Sequence, residues 1–144
     1  LRMGTLSNQS LHVARLSAIC LLQGRGQEAG QRARQALDLA RQHQERGNEA
    51  VALHQLGVVQ AHAGPPDAVQ AAAHYQQSLA LAEELGMRPL QAHCHLGLGT
   101  LYTMTDQRDQ ARAELSTAIE MYQTMEMTLW LPQAEAALAQ VAPR

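Results

Sequence analysis

Small residues recur along this chain in four columns spaced 40 or 42 residues apart, and that periodicity constrains the fold more than any other feature. Ser17, Gly57 and Gly99 form one column, and Ala29, Ala71 and Ala111 a second. Ala36, Ser78 and Ala118 form a third, and Ala50, Ala92 and Ala134 a fourth. Columns that keep one register describe a structural unit used three times, which stacks on copies of itself to bury a continuous core. Within a unit, apolar residues follow helical spacing. Ala111, Leu115, Ala118 and Ile119 stand at i, i+4, i+7 and i+8, a single buried stripe. Breakers interrupt the stripes at 23–27 (QGRGQ), 63–68 (AGPPDA) and 104–109 (MTDQRD). Asp67 or Pro66 can open a helix, and Asp106 is the expected N-cap of another.

Each unit therefore reads as two helices, with units at about 8–47, 48–87 and 88–127 and a terminal helix near 129–141. A glycine inside a helix costs about 1 kcal/mol against alanine. Its recurrence at Gly57 and Gly99 implies that two backbones cross closely at that point. The expected fold is all-α, a right-handed α-solenoid of antiparallel helix pairs. Three pairs and a C-terminal capping helix would make one domain over residues 1–144. A chain of 144 residues can bury a core, and with no Phe and 3% aromatic residues that core is built from Leu, Ala, Val, Ile and Met.

The segment HLGLGTLY, followed by Ala111, Leu115 and Ala118, resembles the tetratricopeptide signature. The matching positions are Leu98, Gly99, Tyr102, Ala111, Leu115 and Ala118, then Leu56, Gly57, Ala71, Tyr75 and Ser78 in the second unit. Leu16, Ser17, Ala29, Ala33 and Ala36 stand at the same places in the first. The tetratricopeptide period is about 34 residues, so longer helices or longer loops are expected here. A narrower resemblance rests on ALAEELGMRPLQAHCHLGLGTLY and AIEMYQTMEMTLWLPQAEAALAQ. These are similar to the C-terminal repeats of bacterial signalling proteins in which a class III adenylate/guanylate cyclase domain and an AAA-type ATPase domain precede the repeats. The resemblance implies a cytoplasmic, multidomain context. With a chain that begins at Leu1, it implies a fragment of something longer. It implies no activity here, since no segment matches a cyclase or nucleotide site.

Composition narrows the partners. The net charge of −2 offers no general attraction to nucleic acid or to an anionic membrane. The arginines at 25–46 are interleaved with Glu28, Asp38 and Glu45, as on a solvated helix face. No apolar run reaches the length of a membrane span. Cys20 and Cys94 sit in apolar helical patterns and read as buried free thiols.

AHCHLG, at 92–97, brings two histidines and a cysteine together and invites a metal reading. On a helix His93 and His95 lie about 200° apart, and a helical metal pair needs i, i+4 spacing. His54 and His62 share a face but stand about 12 Å apart along the axis. Neither metal nor cofactor is expected. GLGT lies within a helix, GRGQEAG lacks the lysine of a phosphate loop, and no nucleophile has an evident base beside it. The chain reads as a non-enzyme. The methionines stand mostly at helical core spacing and read as gap-fillers, the alternative being a target-binding surface; Trp130 packs on the preceding pair as a cap, the alternative being an anchor for another domain.

In an array of helix pairs the first helix of each pair lines a concave face. The candidate partner-binding groove is then Ala14, Ala18 and Leu21, followed by Val51, His54, Val58 and His62, and by His93, Leu96, Thr100 and Met104. Leu11, Leu22, Ala61 and Thr103 stand beside them. Val58 and Leu96 are expected on its exposed floor. The lining is apolar with histidine and without Arg or Asp, which suits an amphipathic helix or apolar peptide, or a second copy of the chain. The expected function is a protein-interaction or regulatory scaffold. The alternative is a ligand- or peptide-sensing domain that controls an attached effector.

Overall fold

A computed structural model of the chain describes residues 3–64 and 66–141, with side chains described from Gln9 onward. Among the described residues there are seven helices and no strand. They are α1 (Met3–Leu22), α2 (Gly26–Gln42), α3 (Arg46–His62), α4 (Ala68–Leu85), α5 (Arg88–Met104), α6 (Arg108–Thr124) and α7 (Leu131–Val141). Each helix packs on the next, and α1 also touches α3, α3 touches α5 and α5 touches α7. The connections hold two to six residues. A helix of 17 residues is about 25 Å long, so links this short force consecutive helices to run antiparallel. No helix among the described residues is long and apolar enough to cross a membrane.

The turns follow one design. Each connection contains one residue with positive φ: Gly24, Gln44, Gly64, Gly86, Asp106 and Glu126. In five of them the next residue donates its N–H to the carbonyl five positions back, at 2.8–2.9 Å. The pairs are Arg25 to Cys20, Glu45 to Ala40, Met87 to Ala82, Gln107 to Tyr102 and Met127 to Tyr122. This left-handed cap satisfies carbonyls that a helix end leaves open. Arg25, Glu45, Met87 and Gln107 are also the N-caps of the following helices. One residue thus closes one helix and opens another, and two or three loop residues suffice. The long period comes from helices of 17 or 18 residues in α2–α6, not from long loops.

Asp67 caps α4 as expected, accepting from the Gln70 N–H at 3.1 Å. Asp106 does not cap α6. It takes the left-handed position, φ 61°, and Gln107 follows as an N-cap without a side-chain bond.

All four columns are buried. A Cβ on Gly57 would lie 2.8 Å from the Tyr75 ring of α4, and one on Gly99 would lie 2.5 Å from Cγ of Leu115 in α6. Ser17 donates its hydroxyl to the Ala29 carbonyl of α2 at 2.6 Å, and Ser78 donates to the Ala50 carbonyl of α3 at 2.7 Å. Three buried clusters follow one another along the chain. They join α1, α2 and α3, then α3, α4 and α5, then α5, α6 and α7. Both thiols are free and buried, and burial pushes Cys94 up to about 11.

α7 is not seated like α5. Forty-two residues after the buried Cys94 stands Ala136, which is exposed. α7 turns Leu131, Ala134, Ala137, Leu138 and Val141 inward and leaves Gln133, Glu135, Ala136, Ala139 and Gln140 in water.

Candidate functional site

The face shared by α1, α3 and α5 carries the candidate groove, and accessibility along it is graded. Near the start of each helix the side chains are covered, and towards the end they emerge. On α1, Ala14 is buried, Ala18 and Leu21 are half-buried, and Leu22 is 88% exposed. On α3, Val51, His54 and Val58 are half-buried and His62 is exposed. On α5, His93 and Thr100 are half-buried and Met104 is 49% exposed. Leu22, His62 and Met104 stand 40 and 42 residues apart, a ledge of equivalent positions at the C-terminal ends of three helices.

Three expected lining residues lie inside the core instead. Ala14 ends within the cluster formed with α2 and α3, and its single methyl does not reach the surface. Ala61 packs with Ala71 and Tyr75 of α4. Leu96 is 7% exposed, because α7 brings Ala134 and Val141 into the same cluster, with Leu131 and Leu138 packed against it. A charge at Leu96 would therefore break the core, contrary to the expectation of an open floor. Val58 is half-buried against the Tyr75 cluster. Thr100 and Thr103 donate to the carbonyls of Leu96 and Gly99, both at 2.9 Å, so their hydroxyls are spent within their own helix.

The helix crossings assemble a row of rings that intrahelical spacing does not reveal. Tyr75 of α4 lies 5.5 Å from His54 of α3, centroid to centroid, and His54 lies 6.2 Å from His93 of α5. His93 in turn meets Tyr122 of α6 at 5.6 Å and, edge-on, Trp130 at 4.7 Å. Tyr122 and Tyr75 are buried, and burial raises both phenols well above their usual range. The Tyr122 hydroxyl thus keeps its proton and shares a hydrogen bond of 2.7 Å with His93 Nδ1. Burial lowers His93. Burial first, and then the neighbouring His93, lowers His54 to about 4. Two imidazolium rings this close would repel one another in a desolvated setting, so the row holds neutral rings near pH 7.

His95, two positions on, turns the other way and bonds Glu114 of α6 through Nδ1 at 2.6 Å. Both histidines of AHCHLG thus hydrogen-bond α6, and His93 alone of the two joins the row of rings. Among the described residues no three His, Cys, Asp or Glu side chains stand where they could hold a metal ion. Trp130 packs on α5 through His93 and keeps 37% of its surface exposed. Two open depressions, of about 750 and 510 Å³, lie around the start of α2, away from this face. Arg25 and Arg32 beside the first are already paired with Glu28. The arrangement offers packing and hydrogen bonding between neighbouring helices.

No family model matches the chain, and no curated protein matches it.

Proposed function

We propose that the chain is a tetratricopeptide-like, right-handed solenoid of three helix pairs and a closing helix, working as a non-catalytic protein-interaction module. Its partner is an amphipathic helix or an apolar peptide laid across α1, α3 and α5. The observation that carries this reading is the ledge of Leu22, His62 and Met104 beside the half-buried Ala18, Val58 and Thr100. This surface repeats with the period of the fold and presents no Lys, Arg, Asp or Glu. Apolar surface left in water costs roughly 25 cal/mol per Å², which favours a partner that covers it. The positive-φ residues repeat in the same register, at 24, 64 and 106 and at 44, 86 and 126, and support the pairwise unit. The resemblance to the repeats of bacterial cyclase–ATPase signalling proteins suggests a cytoplasmic regulatory role beside other domains.

The test is a panel of amphipathic helical peptides selected for binding to the wild-type chain. A His62→Glu, Met104→Glu variant changes two exposed side chains and should retain its helical circular dichroism while losing the selected peptides at least tenfold. Peptides that bind the folded variant with unchanged affinity would remove the groove from consideration. A second reading, a ligand- or peptide-sensing domain, is favoured by the contact of Trp130 with His93. An occupant that displaced Trp130 would alter the support of α7. It would register as a Trp130 fluorescence shift together with thermal stabilisation.

A further inference from the structure

The row of rings across α3–α6 is closed on one side by a residue that lies outside the helices. Trp130 ends the turn before α7 and stands edge-on to His93 at 4.7 Å. Leu129 beside it is 83% exposed, and Trp130 keeps part of its own surface in water. The main chain there is fixed: the Trp130 N–H bonds the Met127 carbonyl, and the Trp130 carbonyl accepts from the Ala134 N–H. The indole can therefore leave His93 by turning about its own side-chain bonds. Tyr75 and Tyr122, the other rings that touch the histidines, are buried between helices and have no such freedom. α7 has further support, from Leu131, Ala134, Leu138 and Val141 in the cluster with Leu96 and Tyr122.

Under the indole lies a pair of imidazoles without a counter-ion. His54 and His93 stand 6.2 Å apart, centroid to centroid. The titratable groups around them are Tyr75 from α4, Tyr122 from α6 and Cys94 on α5, whose thiol weighs on both phenols. All three keep their protons, since burial raises each of them. Among the described residues no carboxylate or guanidinium weighs on either imidazole. Burial alone lowers His93, and burial and then His93 lower His54. Glu114 of α6 is taken by His95, and Arg34 and Arg41 of α2 reach His74 instead. His12 and Arg15 of α1 and Glu135 of α7 are exposed.

A proton on His93 is thus an uncompensated charge in a desolvated row, with a second imidazole beside it. What it lacks is water, and of the three rings touching the pair only the indole can lift to admit it. His54 stays neutral until about pH 4, so the first proton falls to the ring that the indole covers.

We propose that Trp130 is a proton-released latch: when acid charges His93, the indole swings off the row into water while α7 stays docked. The sign follows from linkage. Lifting the indole returns His93 towards its ordinary value, so each pH unit between the two values favours the lifted form about tenfold. A cation–π contact would act the other way and hold the indole in place. The latch needs no partner and is independent of the groove on α1, α3 and α5.

Trp130 is the only tryptophan of the chain, so its fluorescence reports the latch directly. The whole chain is titrated from about pH 7.5 to about 4. Its emission should move to the red and its quenching by acrylamide should rise several-fold. The midpoint should lie below the ordinary imidazole value of about 6.5, with the helical circular dichroism intact. His93→Phe keeps a ring against Trp130 and should lose the transition, whereas His54→Phe should retain it. Nuclear magnetic resonance of the His93 ring in the wild type should give the same midpoint, which decides the matter should His93→Phe fail to fold. An emission that holds its wavelength or moves to the blue while the His93 ring titrates would overturn the latch in favour of a cation–π clamp. A red shift that coincides with loss of helix, that survives in His93→Phe or that disappears in His54→Phe would overturn it too.

Discussion

The first and third helix crossings solve one problem in opposite ways. At the first, α1 offers Ser17, and Ala33 of α2 holds the register position that Leu115 holds in α6. The close approach is tied by hydrogen bonds from Ser17 to the Ala29 carbonyl and from Gln55 to Ser17. At the third, α5 offers Gly99 and α6 fills the space with Leu115, while the second crossing sets Gly57 against Tyr75. Where the partner helix is small a serine fits, and where it is large only glycine does. All these positions are buried, so what the register preserves is the summed volume of the crossing rather than a residue type.

The largest break in this comparison should come from Tyr75, whose ring is wedged between two helices. A Cβ on Gly57 would lie 2.8 Å from it, and one on Gly97 2.7 Å. Tyr75→Ala should cost about 3–5 kcal/mol in chemical denaturation, since two glycines leave nothing to collapse into the hole. The first crossing holds no such ring, and a truncation there has less to lose.

Next in size is an effect of pH. Above about 6.5 both the folded and unfolded chains carry a neutral His54, and no stability is lost. As the pH falls the unfolded chain binds the proton first, because the folded site binds it only near 4. Stability should drop between those values by on the order of 3 kcal/mol and then level off. His54→Phe should flatten that part of a melting-temperature profile; an unchanged slope would place the titration elsewhere.

Gly99→Leu should cost about 1–3 kcal/mol by overpacking, read as a lower denaturation midpoint. The smallest expected effect is a gain. Gln44, Asp106 and Glu126 hold the left-handed position that Gly24, Gly64 and Gly86 hold elsewhere. Replacing one of the three with glycine should raise stability by about 0.5–1 kcal/mol, since a Cβ is disfavoured there. A melting point that falls instead would show that the side chain contributes more than the backbone strain it causes.

The sequence made the crossings readable because small residues recur where backbones approach, and Ser17, Gly57 and Gly99 fell in one register for that reason. It hid the turn device, because three of the six left-handed residues are not glycine, and Asp106 consequently read as an N-cap. The row of His54, His93 and Trp130 escaped notice because its members sit on different helices, where spacing along one helix has no bearing. Leu96 looked open for a similar reason. Its cover comes from α7, which sits differently from the helices whose register it was read in. Gly97 was overlooked beside Gly99, although its contact with Tyr75 is as close.

The most direct test of volume compensation moves the third crossing's solution into the first. Ala33→Leu alone should overpack the Ser17 crossing and cost about 1–3 kcal/mol. Adding Ser17→Gly should recover more than half of that loss, as glycine opposite leucine does at Gly99 and Leu115, and the double-mutant cycle should give a favourable coupling above about 1 kcal/mol. If the two substitutions simply add their costs, the crossings do not share one design and the register records coincidence.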